Sequence, residues 1–568
     1  MTAANNFSAK PKKLPYGLSD FARMIEQNYA YVDKTRYIEL LENENNPTQF
    51  FIRPRRFGKS LFLSILENYY DLNAKSRFDE LFGDLYIGKN PTVEQGSYAI
   101  LRFDFSGLDT ENHEVFKKTF SDVVQEQVIN YFEKYKHIFT DTERAREKGL
   151  GIGALNVVYT AADNSRIPIF VIIDEYDHFA NNLIAMGKGY RDEVKAGGLV
   201  RAFYELLKKG TSSIVKRIFI TGINPMMINN LTSGFNIATD YSLFPKYNEM
   251  FGFTSEEVEW LMTETGVDKA LISVDMETFY NGYKFSKRSK NKVYNSQMIL
   301  YLFNQVLQLG EQPEQIIDTN LQTDYARLRR LVENPNNRER LLDIVLNGGV
   351  TANITEKFSL EQLNRDEYFI SLLFYMGLLT VGGMDRDTTR LIIPNYSIKT
   401  LYWGYMAEYI KNTEEGAIDT EKLSETIRNM AYEGDIAPFL NYFSENFLKR
   451  LSNRDLQKFD EKYIKAMMLT LLFITPLYLP VSEYETVSGY TDIYLQKHPE
   501  KRAVKYEHVF EIKYVKTDTT DVEAAARLSE AESQIEKYRK DGRFAGREDI
   551  QFAAMVFKGK GDVEWKRL

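Results

Sequence analysis

Two groups of residues in this chain have the types and spacing for phosphate chemistry. The first is Arg53-Pro54-Arg55-Arg56-Phe57-Gly58-Lys59-Ser60-Leu61. A strand-forming run, Phe50-Phe51-Ile52, leads into it, and Leu61-Phe62-Leu63-Ser64-Ile65-Leu66 continues with helical character. Strand, turn and helix is the setting in which Gly-Lys-Ser binds phosphate. Backbone N–H groups from Gly58 to Leu61 and the positive helix end face the anion, Lys59 neutralises the β/γ oxygens of ATP, and Ser60 offers its hydroxyl to Mg²⁺. The full pattern GxxxxGK[ST] wants a glycine five positions before Gly58, and Arg53 stands there. Arg53, Arg55 and Arg56 are either further phosphate contacts or a solvated turn.

The partner of that loop lies at Ile167-Pro168-Ile169-Phe170-Val171-Ile172-Ile173-Asp174-Glu175. A nearly unbroken β-branched run reads as a strand buried on both faces of a parallel sheet, and it ends in two carboxylates. Asp174 is placed to hold the Mg²⁺ water shell and Glu175 to polarise an attacking water. Thr221, with Asn224 after it, ends another strand; it is a candidate γ-phosphate sensor or simply a turn-forming Thr-Gly.

The second group is near the C-terminus. Asp492 ends Val487-Ser488-Gly489-Tyr490-Thr491-Asp492, and Glu511 and Lys513 alternate in His508-Val509-Phe510-Glu511-Ile512-Lys513-Tyr514. Side chains alternate along a strand, so Glu511 and Lys513 share one face, and Asp492 can join them from an adjacent antiparallel strand. Two carboxylates and a lysine held together can coordinate Mg²⁺ and activate water for phosphodiester hydrolysis, with Lys513 positioning the nucleophile. The same Glu-x-Lys spacing also describes a solvent-face ion pair worth about 0–1 kcal/mol.

The elements that position these groups alternate. Strands at Tyr98–Phe105, Ile167–Asp174 and Val215–Gly222 are separated by helical periodicity over about 111–139 and 198–209, which predicts a doubly wound α/β sheet with its ligand crevice beyond the strand C-termini. Ser255-Glu256-Glu257-Val258 starts a helical, charged stretch. Gly348-Gly349 marks a break, and a short hairpin is expected from Gly377–Val381 and Arg390–Pro394. Ala466–Pro476 is apolar but too short to span a bilayer, and it reads as a buried helix.

With 568 residues, 43% of them hydrophobic and 14% aromatic, the chain has material for several cores. The net charge of −8 gives no global basic footprint for nucleic acid, although the stretch from Arg450 onward is near neutral. There is no cysteine and there are five histidines, which excludes disulfides and cysteine-based zinc sites. Met1 to Lys10 has no apolar core of a signal peptide, so a cytoplasmic, non-membrane protein is expected.

Leu14-Pro15-Tyr16-Gly17, Tyr31-Val32-Asp33-Lys34-Thr35, Arg53 to Ser60, Ile173-Asp174-Glu175-Tyr176-Asp177 and Ile220-Thr221-Gly222 occur in that order. Together they resemble the bacterial AAA-ATPase-like family, whose loop typically reads Arg-Pro-Arg-Arg-Phe-Gly-Lys-Ser, so the absent glycine is usual there. Phe279-Tyr280-Asn281-Gly282-Tyr283 and Val293-Tyr294-Asn295-Ser296 resemble a segment that follows the family's core. The C-terminal group resembles the PD-(D/E)xK nuclease motif, which often ends such chains. That resemblance implies catalytic roles for Asp492, Glu511 and Lys513, a further metal ligand in Glu461 on the preceding helix, and Gln534 completing the site from the following helix. Two departures stand out. Gly489-Tyr490-Thr491-Asp492 replaces the common Gly-Arg-x-Asp, and Lys465 stands where a histidine often follows the first-helix glutamate.

The resulting expectation is a multidomain α/β protein. It has a disordered tail over 1–13, a P-loop NTPase core over 14–253, a helical lid over 254–347, a helical or winged-helix-like connector over 348–449, and a restriction-endonuclease-like domain over 450–568. ATP and Mg²⁺ are its expected cofactors, and DNA or RNA is the expected partner of the last domain. The resemblance implies a setting in genome defence or mobile-element biology. The alternative is a non-catalytic nucleotide-responsive scaffold, which binds nucleotide without hydrolysis and whose C-terminal domain recognises a protein or nucleic-acid partner.

Overall fold

The computed structural model describes residues 10–108, 112–139, 143–147, 149–177, 198–225, 235–318, 335–358, 362–363, 365–412, 419–450, 460–475, 477–498, 501, 503–559 and 562–568. The chain divides into two compact units, Met1–Asp324 with Val350–Asn395, and Tyr325–Gly349 with Tyr396–Leu568.

The first unit is built on a five-stranded sheet of β1 (Thr48–Ile52), β2 (Ala99–Asp104), β3 (Ile169–Asp174), β4 (Val215–Gly222) and β5 (Thr239–Asp240), in the order β2-β3-β4-β1-β5. All neighbours pair in parallel. Every residue of β1 and β3 is buried, as apolar runs covered on both faces require. Helix α1 (Lys59–Tyr70) packs on one face through Phe62 against Phe219 and Tyr70 against Phe170. Helices α2 (His113–Lys134), α3 (Ala154–Ser165) and α4 (Leu199–Thr211) complete the alternation. On the opposite face Phe120 of α2 stacks on Phe105, and Phe203 of α4 meets Phe103, Phe105 and Phe120 edge to face. Because all strands run the same way, the loop after β1, the acids ending β2 and β3, and Thr221 on β4 gather along one edge.

Residues 10–13, expected to belong to a disordered tail, are paired: the Lys12 amide donates to the Glu264 carbonyl at 2.8 Å, and the Lys13 amide to the Asn28 carbonyl at 3.1 Å. Residues 1–9 lie outside the described part. Helix α5 (Ser255–Thr265) starts in a capping box between Thr254 and Glu257, and Glu257 also accepts the buried Lys34 ammonium at 2.6 Å. Helix α6 (Ser296–Leu309) is capped by Asn295. The expected hairpin exists, shifted to β7 (Thr380–Asp385) and β8 (Thr388–Ile392), with β6 (Gly349–Thr351) on its other side, beside helix α7 (Asp366–Tyr375). The compact units cut the expected 348–449 connector in two: Val350–Asn395 belongs with the first unit and Tyr396 onward with the second.

The second unit carries a mixed sheet of β9 (Tyr478–Thr486), β10 (Gly489–Lys497), β11 (Glu507–Val515), β12 (Ile550–Lys558) and β13 (Asp562–Arg567), ordered β13-β12-β11-β10-β9. Helices α8 (Thr420–Glu433) and α9 (Glu461–Leu472) precede it, and α10 (Asp521–Tyr538) joins β11 to β12. Those two strands pair in parallel, which a hairpin cannot do, so a crossover helix is needed. Helix α10 covers the sheet face that carries Val509, Val515, Ala554 and Val556, through Ala524, Ala531 and Ile535. On the other face the buried His508 meets the Met430 carbonyl of α8 at 3.0 Å; a carbonyl only accepts, so Nε2 carries the proton. Among the described residues no helix is long and apolar enough to cross a membrane.

Candidate functional site

In the first unit, a cavity of about 510 Å³ opens at the C-terminal edge of the parallel sheet. Arg55 to Ser60, Asp104, Ser106, Asp174 and Glu175 form its polar side, and Leu18, Met24, Val32, Met250, Phe253 and Leu300 an apolar wall. Gly58 begins α1 with φ of +90°, a conformation that strains any side chain, and this turn aims the first amides of α1 at the cavity. Ser60 and Asp174 both line the cavity; burial raises the Asp174 pKa, and the Ser60 hydroxyl and the Lys59 charge lower it. Lys59 is buried; its ammonium donates to the Arg53 and Pro54 carbonyls at 3.1 and 3.0 Å, inside the loop. Burial lowers its pKa, opposed by Glu175, Asp174 and Asp177. Glu175 follows with φ of +50°, its amide donating to Asp174 Oδ1 at 3.0 Å. A residue held there against its backbone preference marks a place where position matters more than local energy.

The remaining loop residues part company. Arg55 and Arg56 line the cavity, and Arg56 Nη1 lies 3.9 Å from Asp318 Oδ2. Arg53, expected at phosphate, does not. Its guanidinium donates to the carbonyls of Ile52, Ser242 and Tyr247 at 2.7–2.9 Å and sits 4.3 Å from the Phe285 ring centroid. Burial lowers its pKa to about 10. It is an internal brace that ties the loop to the segment after β5. Thr221 shares the α1 face of the sheet with Phe219, on the strand between β1 and β3; its hydroxyl is buried, has no hydrogen-bond partner and stays outside the cavity lining.

Tyr176 and Asp177 explain the rest of the acidic motif. Asp177 accepts the amides of Ile223 and Asn224 at 3.1 and 3.0 Å and the Asn224 side chain at 2.6 Å, so Asn224 is a structural partner. A Cβ on Gly222 would stand 2.3 Å from Tyr176 and 2.4 Å from Asp177, so only glycine admits this lock between the ends of β3 and β4. Asp104, opposite Asp174 in the β2–β3 register, is a cavity acid that the sequence reading passed over, although it ends an expected strand.

In the second unit, β10 and β11 pair antiparallel with Ile493 opposite Phe510 and Tyr494 opposite Val509. Asp492 therefore falls beside Glu511, on the face beneath α10, with Lys513 next along β11. Asp492 Oδ1 accepts the Lys465 ammonium and Oδ2 the Ile512 amide, at 2.7 and 2.6 Å. Glu511 Oε1 accepts Lys513 at 2.7 Å, while Oε2 is buried without a hydrogen-bond partner. Burial, then the neighbouring Asp492 charge, raises the Glu511 pKa to about 7. Burial works against the Lys513 charge, but Glu511 outweighs it and its pKa rises. Glu461, in the first turn of α9, acts electrostatically on both Glu511 and Lys513. Gln534 lies at the edge of the sheet-facing stripe of α10, its Oε1 buried without a hydrogen-bond partner.

A hard divalent cation is bound by oxygen, and the donors here suit it in kind. Glu511 offers a bare buried oxygen beside Asp492. In number they fall short of a closed cage: among the described residues no three acidic or histidine side chains converge as a metal cluster. Asp492 and Glu511 are the residues that would hold the ion, which would supply charge stabilisation at a phosphate oxygen.

Residues 15–232 match the family model described as a predicted AAA-ATPase, and residues 459–565 match the PD-(D/E)XK nuclease superfamily. The two matches follow one another along the chain, and each says what its own segment is similar to. A relative from Azotobacter chroococcum mcd 1, described as an uncharacterized protein in the vnfD 5' region, is 27% identical over 406 residues, 68% of each chain. Two solved structures are similar. Cdc6p from Pyrobaculum aerophilum is 11% identical, covering 71% of this chain and 97% of that one at a TM-score of 0.25. The ORC2 protein of Aeropyrum pernix, as ADPNP–ADP complexes, is 10% identical, covering 68% and 98% at 0.32. At that level the fold assignment rests on the sheet order itself.

Proposed function

We propose that this chain binds and hydrolyses ATP in its first unit and cuts nucleic acid with a Mg²⁺-dependent site in its second, the nucleotide state setting when cutting occurs. The observation that carries the reading is that Lys59, Ser60 and Asp174 line one cavity together, with the Ser60 hydroxyl lowering the pKa of a carboxyl that burial raises. It joins the two halves of a nucleotide site, the phosphate loop and the acid that holds a magnesium water shell. In this reading Arg55 and Arg56 meet phosphate oxygens and Glu175 the attacking water, all three from the cavity lining, whereas Thr221, outside that lining, supports the β4 end of the site and touches no phosphate. The apolar wall accepts the base.

The nuclease half is supported by Asp492, Glu511 and Lys513 on one sheet face, with Glu461 and Gln534 as outer contributors. Defence against foreign DNA, or mobile-element biology, is the setting such a pairing fits. One observation favours the scaffold reading for this half: each of the two central carboxylates already holds a lysine ammonium. The test is a pair of variants in the full chain. Lys59→Ala is expected to lose at least about 100-fold in ATP affinity, the loss of a buried charge-assisted phosphate contact. Glu511→Ala is expected to stop Mg²⁺-dependent cutting of plasmid and oligonucleotide DNA. Unchanged ATP affinity in the first, or undiminished cutting in the second, refutes that half of the reading.

A further inference from the structure

Lys465 stands one helical turn after Glu461 on α9, and its ammonium lies 2.7 Å from Asp492 Oδ1, with 13% and 9% of the two side chains exposed. The other Asp492 oxygen is taken by the Ile512 amide. Beside it, Glu511 is 2% exposed and pairs with Lys513 through one oxygen, while its second oxygen has no hydrogen-bond partner. The carboxylates of Asp492 and Glu511 are thus each paired with an ammonium group, with Glu461 acting on Glu511 and Lys513 from the first turn of α9, and Glu511 Oε2 is the carboxylate oxygen of that pair left bare. A divalent ion reaching Asp492 Oδ1 meets a positive charge already there, and in this mostly buried setting that repulsion is weakly screened. Displacing the ammonium from Asp492 is made easier by added negative charge close by, and a phosphodiester oxygen is the anion that a nuclease site receives.

We infer that Lys465 is a built-in competitor for the divalent cation at Asp492, a positioning residue that keeps metal loading weak until a nucleic-acid phosphate takes over its charge. Metal and substrate then bind cooperatively, because each relieves the cost of the other. The inference rests on the nuclease reading of this site and concerns only how the site is loaded.

The experiment is Mn²⁺ titration of the nucleotide-free full chain, read by the loss of the free-ion EPR signal, with and without an uncleavable phosphorothioate oligonucleotide. Asp492→Asn supplies the background from other sites. Wild type is expected to bind weakly alone and more tightly with oligonucleotide. Lys465→Gln is expected to bind at least about tenfold more tightly alone, from removal of one charge at the liganding oxygen, and to lose most of the oligonucleotide effect. Lys465→Arg, which keeps the charge, should behave as wild type, and matched thermal melts show that both variants are folded. If Mn²⁺ binding disappears in Glu511→Gln but is unchanged in Lys465→Gln, the competition is wrong and the nuclease reading stands. If no variant binds above the Asp492→Asn background, both are wrong.

Discussion

The raised pKa of Glu511 makes it a liability for stability, and replacing it should show how large. The perturbation is Glu511→Gln, which keeps the shape and removes the charge. In the folded chain the carboxyl titrates near 7 against 4.5 as its ordinary value, a displacement that already includes the attraction of Lys513. The sign follows from proton counting. Below pH 4.5 both states are protonated and nothing is lost. Between 4.5 and 7 the unfolded chain releases its proton while the folded chain keeps it, so stability falls as pH rises. Above 7 the full cost persists, about 3 kcal/mol at pH 8 and below about 1 kcal/mol at pH 5. Glu511→Gln should therefore stabilise the second unit by those amounts. Hydrogen exchange of the β11 amides reads that unit alone, and about 3 kcal/mol corresponds to roughly 100-fold slower exchange at pH 8 after correction for the intrinsic rate. Variant and wild type must be compared at each pH, because burial pushes the His508 pKa down to about 4 and so destabilises both proteins as pH falls below 6.5. If the variant exchanges as fast as wild type at pH 8, or faster, Lys513 compensates the burial and Glu511 is an ordinary ion-paired carboxylate.

Two further outcomes test the first unit. Arg53→Met should lower its stability by about 3 kcal/mol or more, since three buried carbonyls lose a charged donor, and thermal melts should show this as a lower midpoint with or without ATP. A variant as stable as wild type would return Arg53 to the list of phosphate ligands. Glu175→Gln should keep ATP affinity within about twofold while slowing phosphate release at least about 100-fold, the usual range for loss of a group that activates water. Equal turnover would remove Glu175 from the reaction.

What the residues by themselves determined was the local chemistry. Gly58-Lys59-Ser60 between an apolar strand and a helix, and a β-branched run ending in Asp174-Glu175, state both a phosphate loop and its acidic partner, because backbone geometry and burial dictate those patterns over a few neighbouring positions. Alternation along β11 likewise determined that Glu511 and Lys513 share a face. Tertiary structure decided which groups at those positions look outward. Arg53 and Arg55 are the same residue type two positions apart, yet one fills a gap between backbone carbonyls and Phe285 and the other lines the cavity, a difference set by the segment around Ser242 to Tyr247, nearly 200 residues along. The pairing of Lys465 with Asp492 and the lock between Asp177 and the turn after Gly222 are of the same kind. β9, β12 and β13 escaped the pattern reading because a strand's partner, not its own composition, sets whether it pairs. Short-range order is written in short-range spacing; the direction of a buried charge depends on whatever distant backbone or carboxylate the fold brings within hydrogen-bonding reach.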